Sequence, residues 1–177
     1  MPEDLLYIIG QVLGAVAVVL GFVTFQMKNT KGILAVQVVT ALVFSAHYLL
    51  IGALTAAGLN FLAAIQCLCY YFRNKRGSKN LVVPILFTVL VVVTSILTWD
   101  AWYSSFIMVG LVINSIALTF ADAQKIRYAM FIKSPCCLVY NVLAGSGGGT
   151  VYECASLISS VIGIVKNARK DKENGEV

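Results

Sequence analysis

The chain runs for long distances without a charge. No Asp, Glu, Lys or Arg occurs from Leu5 to Met27, from Gly32 to Phe72, from Asn80 to Trp99, from Ala101 to Ala121 or from Ser134 to Tyr152. A helix of roughly 20 apolar residues crosses the ~30 Å of bilayer hydrocarbon, and inside it the backbone must satisfy its own hydrogen bonds. Stretches of this length and character therefore point to an all-α membrane protein. Only 12% of the 177 residues are charged, about half the share usual in a soluble domain. No room is left for a separate soluble domain.

Apolar runs set against their polar breaks predict seven transmembrane helices, near 5–26, 33–52, 55–72, 80–98, 102–121, 125–144 and 149–166. The opening Met1-Pro2-Glu3-Asp4 is acidic where a secretory signal would be basic, so the first run is expected to remain as a helix. Lys28 and Lys31 follow the first helix, Arg73, Lys75, Arg76 and Lys79 the third, Lys125 and Arg127 the fifth, and Lys166, Arg169, Lys170 and Lys172 the seventh. An odd count of crossings puts all of these on one side. Glu3, Asp4, Asp100 and the glycine turns fall on the other. The positive-inside rule then sets the amino terminus outside and the carboxyl terminus in the cytoplasm of a bacterial inner membrane. The net charge of +5 reads as this topology signal, with no nucleic-acid partner expected.

A faint internal repeat appears at an offset of 93 positions, the separation of Gly52 and Gly145. It lays His47 on Tyr140, Leu50 on Leu143, Asn60 on Glu153, Ile65 on Ile158 and Asn74 on Asn167; the Thr24-Phe25 and Thr119-Phe120 pairs match after a small gap. Each copy holds three helices, and the fourth helix between them gives both copies the same orientation. The expected plan is a first triple-helix bundle over 1–76, a linker helix over 77–100, a second triple-helix bundle over 101–168 and a cytoplasmic tail over 169–177. A parallel repeat of this kind places its axis along the membrane normal, with a path between the halves.

The stretch Tyr140-Asn141-Val142-Leu143-Ala144-Gly145-Ser146-Gly147-Gly148-Gly149-Thr150 with Glu153, and its echo His47-Tyr48-Leu49-Leu50-Ile51-Gly52 with Asn60, resembles the YgjV-type bacterial inner membrane protein family. The resemblance covers nearly the whole chain. The three-one-three plan is further similar to the SWEET sugar transporters and the PnuC vitamin transporters, which bind solute between triple-helix bundles. What it implies is a small polar solute, such as a sugar, a nucleoside or a vitamin-like compound. The prolines that hinge the first helix of each SWEET half have no counterpart among Pro2, Pro84 and Pro135.

Polar groups that would be costly facing lipid mark the candidate substrate site: Asn60, Glu153, His47, Tyr140, Asn141, Lys133 and Ser156. An ionisable side chain at mid-membrane costs about 2.5–3.5 kcal/mol on insertion scales and is usually functional. Glu153, Ser156, Ser160, Gly163 and Asn167 follow one face of the seventh helix; Lys133, Cys137 and Tyr140 or Asn141 follow one of the sixth. Gln37, Thr40, Phe44 and His47 share a face of the second helix, and Asn60, Ala63, Cys67 and Tyr70 one of the third. Each has a plainer alternative. Glu153 can be a buried neutral acid or a structural partner of Lys133, Asn60 a bond between helices, His47 an interfacial side chain, and Lys133 a snorkelling one.

Other motifs carry less. The Gly145–Gly149 turn lacks the Lys-Ser/Thr ending of a phosphate loop and reads as close helix packing. Cys67, Cys69, Cys136, Cys137 and Cys154 form no CxxC pair and stand near no group of histidines, so neither metal nor cofactor is expected. Trp99 and Trp102 suit an interfacial aromatic belt. No nucleophile stands beside a base at readable spacing, so an enzyme is not expected. The expected activity is alternating access for a small solute, with the bilayer as the other partner and room for a homo-oligomer; the competing reading is a structural or regulatory membrane protein.

Overall fold

The computed structural model describes residues 3–26, 30–76, 81–117 and 123–175. Among them lie seven helices and no strand: α1 (Glu3–Gln26), α2 (Thr30–Leu50), α3 (Leu54–Lys75), α4 (Val82–Leu97), α5 (Ser104–Ala117), α6 (Ala123–Leu143) and α7 (Gly147–Gly175). Lys28, Lys79, Asp122 and the Thr119-Phe120 pair lie outside the described residues. The helix positions follow the sequence expectation, with one extension. α7 runs 29 residues to Gly175, through most of the stretch expected as a tail.

α2 packs between α1 and α3, and α6 between α5 and α7; α1 meets α7, α3 meets α5, and α4 touches α3 and α5. The exterior is far more apolar than that of a soluble domain, and polar side chains lie buried beside an apolar cluster of Phe44, Leu59, Val91 and Ile107. Thr40, His47, Gln66, Lys133, Asn141, Glu153 and Ser156 are buried, while Ile8, Val12, Val16, Val19 and Val23 form an exposed stripe along α1. α4 exposes Val82, Ile85, Leu86, Val89, Val93 and Ile96, and α7 exposes Val151, Ile158, Ile162 and Val165. Apolar surface this continuous calls for an apolar environment, since soluble monomers rarely expose patches above a few hundred Å².

Helix length separates the elements. By length and composition, Asp4–Val23 and Leu54–Arg73 are long and apolar enough to cross a membrane, whereas Leu34–Leu50, Val82–Leu97, Ser104–Ala117 and Tyr128–Leu143 are shorter apolar helices. At 1.5 Å per residue, the 16 residues of α4 reach about 24 Å and the 14 described residues of α5 about 21 Å. Ser, Thr and Gly at the start of α7 and charges at its end lower that helix's hydropathy.

Candidate functional site

The site is assembled from two helix ends built alike. Gly52 follows the end of α2 and Gly145 that of α6, both left-handed with φ of 80° and 67°. The N–H of Ala53 bonds to Tyr48 O and that of Gly52 to Leu49 O; the N–H of Ser146 bonds to Asn141 O and that of Gly145 to Val142 O. Each pair is a Schellman motif, in which a left-handed glycine lets two backbone N–H groups satisfy the last helix carbonyls. Each of these two bonds in one turn equals its counterpart in the other displaced by 93 positions.

These ends are laced to each other. The Tyr48 hydroxyl donates to Asn141 Oδ1, joining two side chains 93 positions apart. His47, fully buried, sits 2.7 Å from both Gly10 O and Ser146 Oγ. A carbonyl can only accept, so Nδ1 carries the proton toward Gly10 and Nε2 accepts the Ser146 hydroxyl, whose oxygen takes the Gly149 N–H at 3.0 Å. Gly148 lies against the Gly14 backbone, where a Cβ would come 2.6 Å from Gly14 Cα. The glycine turn is thus a close helix contact between α1 and α7.

A second knot holds the loop between α4 and α5. Asp100 Oδ1 accepts the Ser104 hydroxyl, and Oδ2 accepts the Thr55 N–H and the Tyr140 hydroxyl, both at 3.4 Å. The Ala56 N–H in turn donates to Tyr140 Oη at 3.3 Å. Asp100 therefore stands at the N-terminus of α3, where a carboxylate meets otherwise unpaired N–H groups and the positive end of the helix dipole.

Beneath the laced turns lies a cavity of about 100 Å³. Its walls are Gln37, Thr40, Ala41, Phe44 and Tyr48 of α2, Asn60, Ala63 and Cys67 of α3, Ile107, Leu111 and Asn114 of α5, Met130, Lys133, Cys137 and Asn141 of α6, and Tyr152 and Glu153 of α7. Five pairs of these differ by 93: Gln37 and Met130, Thr40 and Lys133, Phe44 and Cys137, Tyr48 and Asn141, Asn60 and Glu153. Residues of α2 and α3 and of α5, α6 and α7 thus share one cavity. On one side Tyr152 fills the space left by Gly21 of α1.

Its electrostatics are set by one ion pair. Lys133 Nζ is 3.2 Å from Glu153 Oε1, with the two side chains 11% and 6% exposed. Glu153 Oε2 is buried without a hydrogen-bond partner. The Asn60 amide donates to Ala56 O at 2.9 Å within its own helix. Among the described residues no group of three His, Cys, Asp or Glu could hold a metal ion.

Asn60, Lys133, Asn141 and Glu153 are thus brought together on the cavity wall. His47, Tyr140 and Ser156 lie off it: His47 in the turn lacing, Tyr140 on Asp100, and Ser156 against Ser134 at 3.3 Å. On α2 and α6 alike the cavity takes the residue four positions beyond Phe44 and Cys137, Tyr48 and Asn141, instead of the one three positions beyond. Tyr48 and Tyr152 also line the wall without having been among the candidate substrate residues, and Asn114, which the sequence marks with Gln11 and Gln37 as a polar bond between helices, lines it too. The 93-residue offset from Asn141 is the signal that would have found Tyr48.

Comparison with known proteins fits the inverted surface and buried polar core. The sequence matches the family Imp-YgjV, described as bacterial inner membrane protein, over residues 8–171, and the chain belongs to that family. It is 24% identical to inner membrane protein YgjV of Escherichia coli (strain K12) over 166 residues, covering 94% of this chain and 88% of that protein. No solved structure matches it.

Proposed function

We propose that the chain is a multi-pass transporter of a small polar solute, in which the bundles α1–α3 and α5–α7, linked by α4, expose the cavity to either side in turn. The observation that carries this reading is a buried ion pair with one carboxylate oxygen that has no partner among the described residues, on a cavity lined by α2, α3, α5, α6 and α7. Intramembrane ionisable groups are costly and are usually kept for a pathway. The constant 93-residue offset in turn geometry and cavity wall supports duplicated, parallel bundles. With the amino terminus outside and the carboxyl terminus in the cytoplasm, as the basic residues direct, the laced turns seal the outer side. This arrangement would then load from the cytoplasm. The partners are the solute, the lipid bilayer and, in a homo-oligomer, further copies of the chain; the protein is read as a non-enzyme.

A cavity of about 100 Å³ is smaller than the ~300–1,000 Å³ of most ligand sites. The bundles must part to admit anything as large as a nucleoside. The second reading, a structural or regulatory membrane protein, is favoured by His47, Tyr140 and Ser156 having their hydrogen bonds met inside the packing. A thermal-shift screen of purified protein against sugars, nucleosides, vitamins and amino acids, with uptake in proteoliposomes for each hit, separates the two. The transport reading expects a hit that is lost in Glu153→Gln and carried by the wild type. No hit, with Asn60→Ala and Glu153→Gln equally destabilised, would refute it.

A further inference from the structure

Glu153 offers the cavity one oxygen held by Lys133 and one that is buried and unpartnered. Oε2 can be satisfied only by a hydrogen-bond donor. The charges of Lys133 and Glu153 cancel, and among the described residues no other Asp, Glu, Lys or Arg lines the cavity. An anion placed there would meet the free face of a carboxylate. A cation would stand beside the Lys133 ammonium and leave a net charge in a poorly solvated space, where charges are expensive. The lining also offers the Asn60 amide and aromatic and aliphatic surface from Phe44 and Ile107. At ~10–15 Å³ for each water-sized group, the ~100 Å³ of space holds about seven to ten such groups.

Resting on the transport reading, we infer that this site selects an uncharged, compact solute that donates an N–H or O–H to Glu153 Oε2, and that it discriminates against anions and cations of the same shape. Lys133 and Glu153 thereby act as a matched pair: Lys133 fixes the carboxylate and neutralises the site, and Glu153 reads the donor.

Three compounds of nearly equal size and shape test this: benzamide, benzoate and the benzylammonium ion. Each is titrated against the full-length protein in detergent, with thermal stabilisation as the readout. The wild type should take benzamide at concentrations at least tenfold below the other two. Glu153→Gln leaves the Lys133 charge uncompensated and should move the preference to benzoate by tenfold or more; Lys133→Met should move it to benzylammonium. The second variant guards against a folding failure of the first. Equal affinity for all three, a wild-type preference for either ion, or no stabilisation by any of them would overturn the inference. Counterflow of radiolabelled benzamide in proteoliposomes tests the underlying reading separately. Binding in the expected order without flux would sink transport and leave the selectivity standing, whereas flux without charge preference would do the reverse.

Discussion

Removing one partner of the Lys133–Glu153 pair should cost far more than removing both. At 3.2 Å and an effective dielectric of about 20, two unit charges attract by 332/(20 × 3.2), or about 5 kcal/mol. Most of that offsets the cost of having desolvated both groups, which is why the intact pair adds little net stability. Its rupture leaves a buried charge uncompensated and costs about 3–5 kcal/mol. In Lys133→Met the Glu153 carboxylate would have neither oxygen partnered; in Glu153→Gln the ammonium would be stranded. For a chain of this length such a loss lowers the midpoint of unfolding by on the order of 10 °C. The double variant Lys133→Met/Glu153→Gln, with no charge to strand, should return to within about 1–2 kcal/mol of wild type. The assay is a double-mutant cycle on purified protein by thermal or denaturant unfolding, with a coupling of about 4 kcal/mol or more expected. Additive single effects, or a double variant as unstable as the worse single one, would refute the geometry of the pair.

Tyr48→Phe keeps the ring packing but leaves the buried Asn141 Oδ1 without its donor; a loss of about 1–3 kcal/mol is expected in unfolding experiments. Gly52→Ala should cost only about 1 kcal/mol, since nothing lies within 4 Å of an added Cβ and only the φ of +80° resists it. Gly148→Ala must push α1 and α7 apart and should cost distinctly more, about 1–3 kcal/mol or above, so equal midpoints for the two alanine variants would contradict the contact. Cys67 and Cys137 line the cavity. With Cys69, Cys136 and Cys154 replaced by serine, a small methanethiosulfonate reagent should modify them faster from the cytoplasmic face of oriented vesicles than from the outer face, and faster labelling from outside would reverse the proposed seal.

Much of the helical framework is legible because its signals are local. Uncharged runs mark the helices, and Gly52 and Gly145 mark the two turns, since a left-handed helix end favours glycine regardless of what packs around it. The 93-residue offset needs only the chain itself, and it pairs the cavity walls correctly. What the sequence conceals depends on neighbours. Residues three and four positions on from Phe44 both lie near its face of the helix, and only the approach of α6 selects Tyr48 for the cavity and His47 for Gly10. Asp100 reads as one acid between two interfacial tryptophans; its place at the start of α3 follows from a contact 45 positions away. Likewise α4 ends at Leu97 and α5 begins only at Ser104, because Trp99 to Tyr103 is spent on the turn that delivers Asp100 and Ser104.

The bond between Tyr48 and Asn141 also speaks to ancestry. A homodimer of one three-helix unit puts each residue near the axis opposite its own copy, so tyrosine would face tyrosine or asparagine face asparagine. The same symmetry would install two lysines and two glutamates around the cavity, or none. In this chain the positions 93 apart differ instead: the Tyr48 donor meets the Asn141 acceptor, threonine at 40 corresponds to lysine at 133, and the amide at 60 to the acid at 153. Among the described residues the charged side chains of the cavity thus come from α6 and α7 alone, and on the proposed transport reading a molecule held by Glu153 would ride with those helices while α2 and α3 move past it.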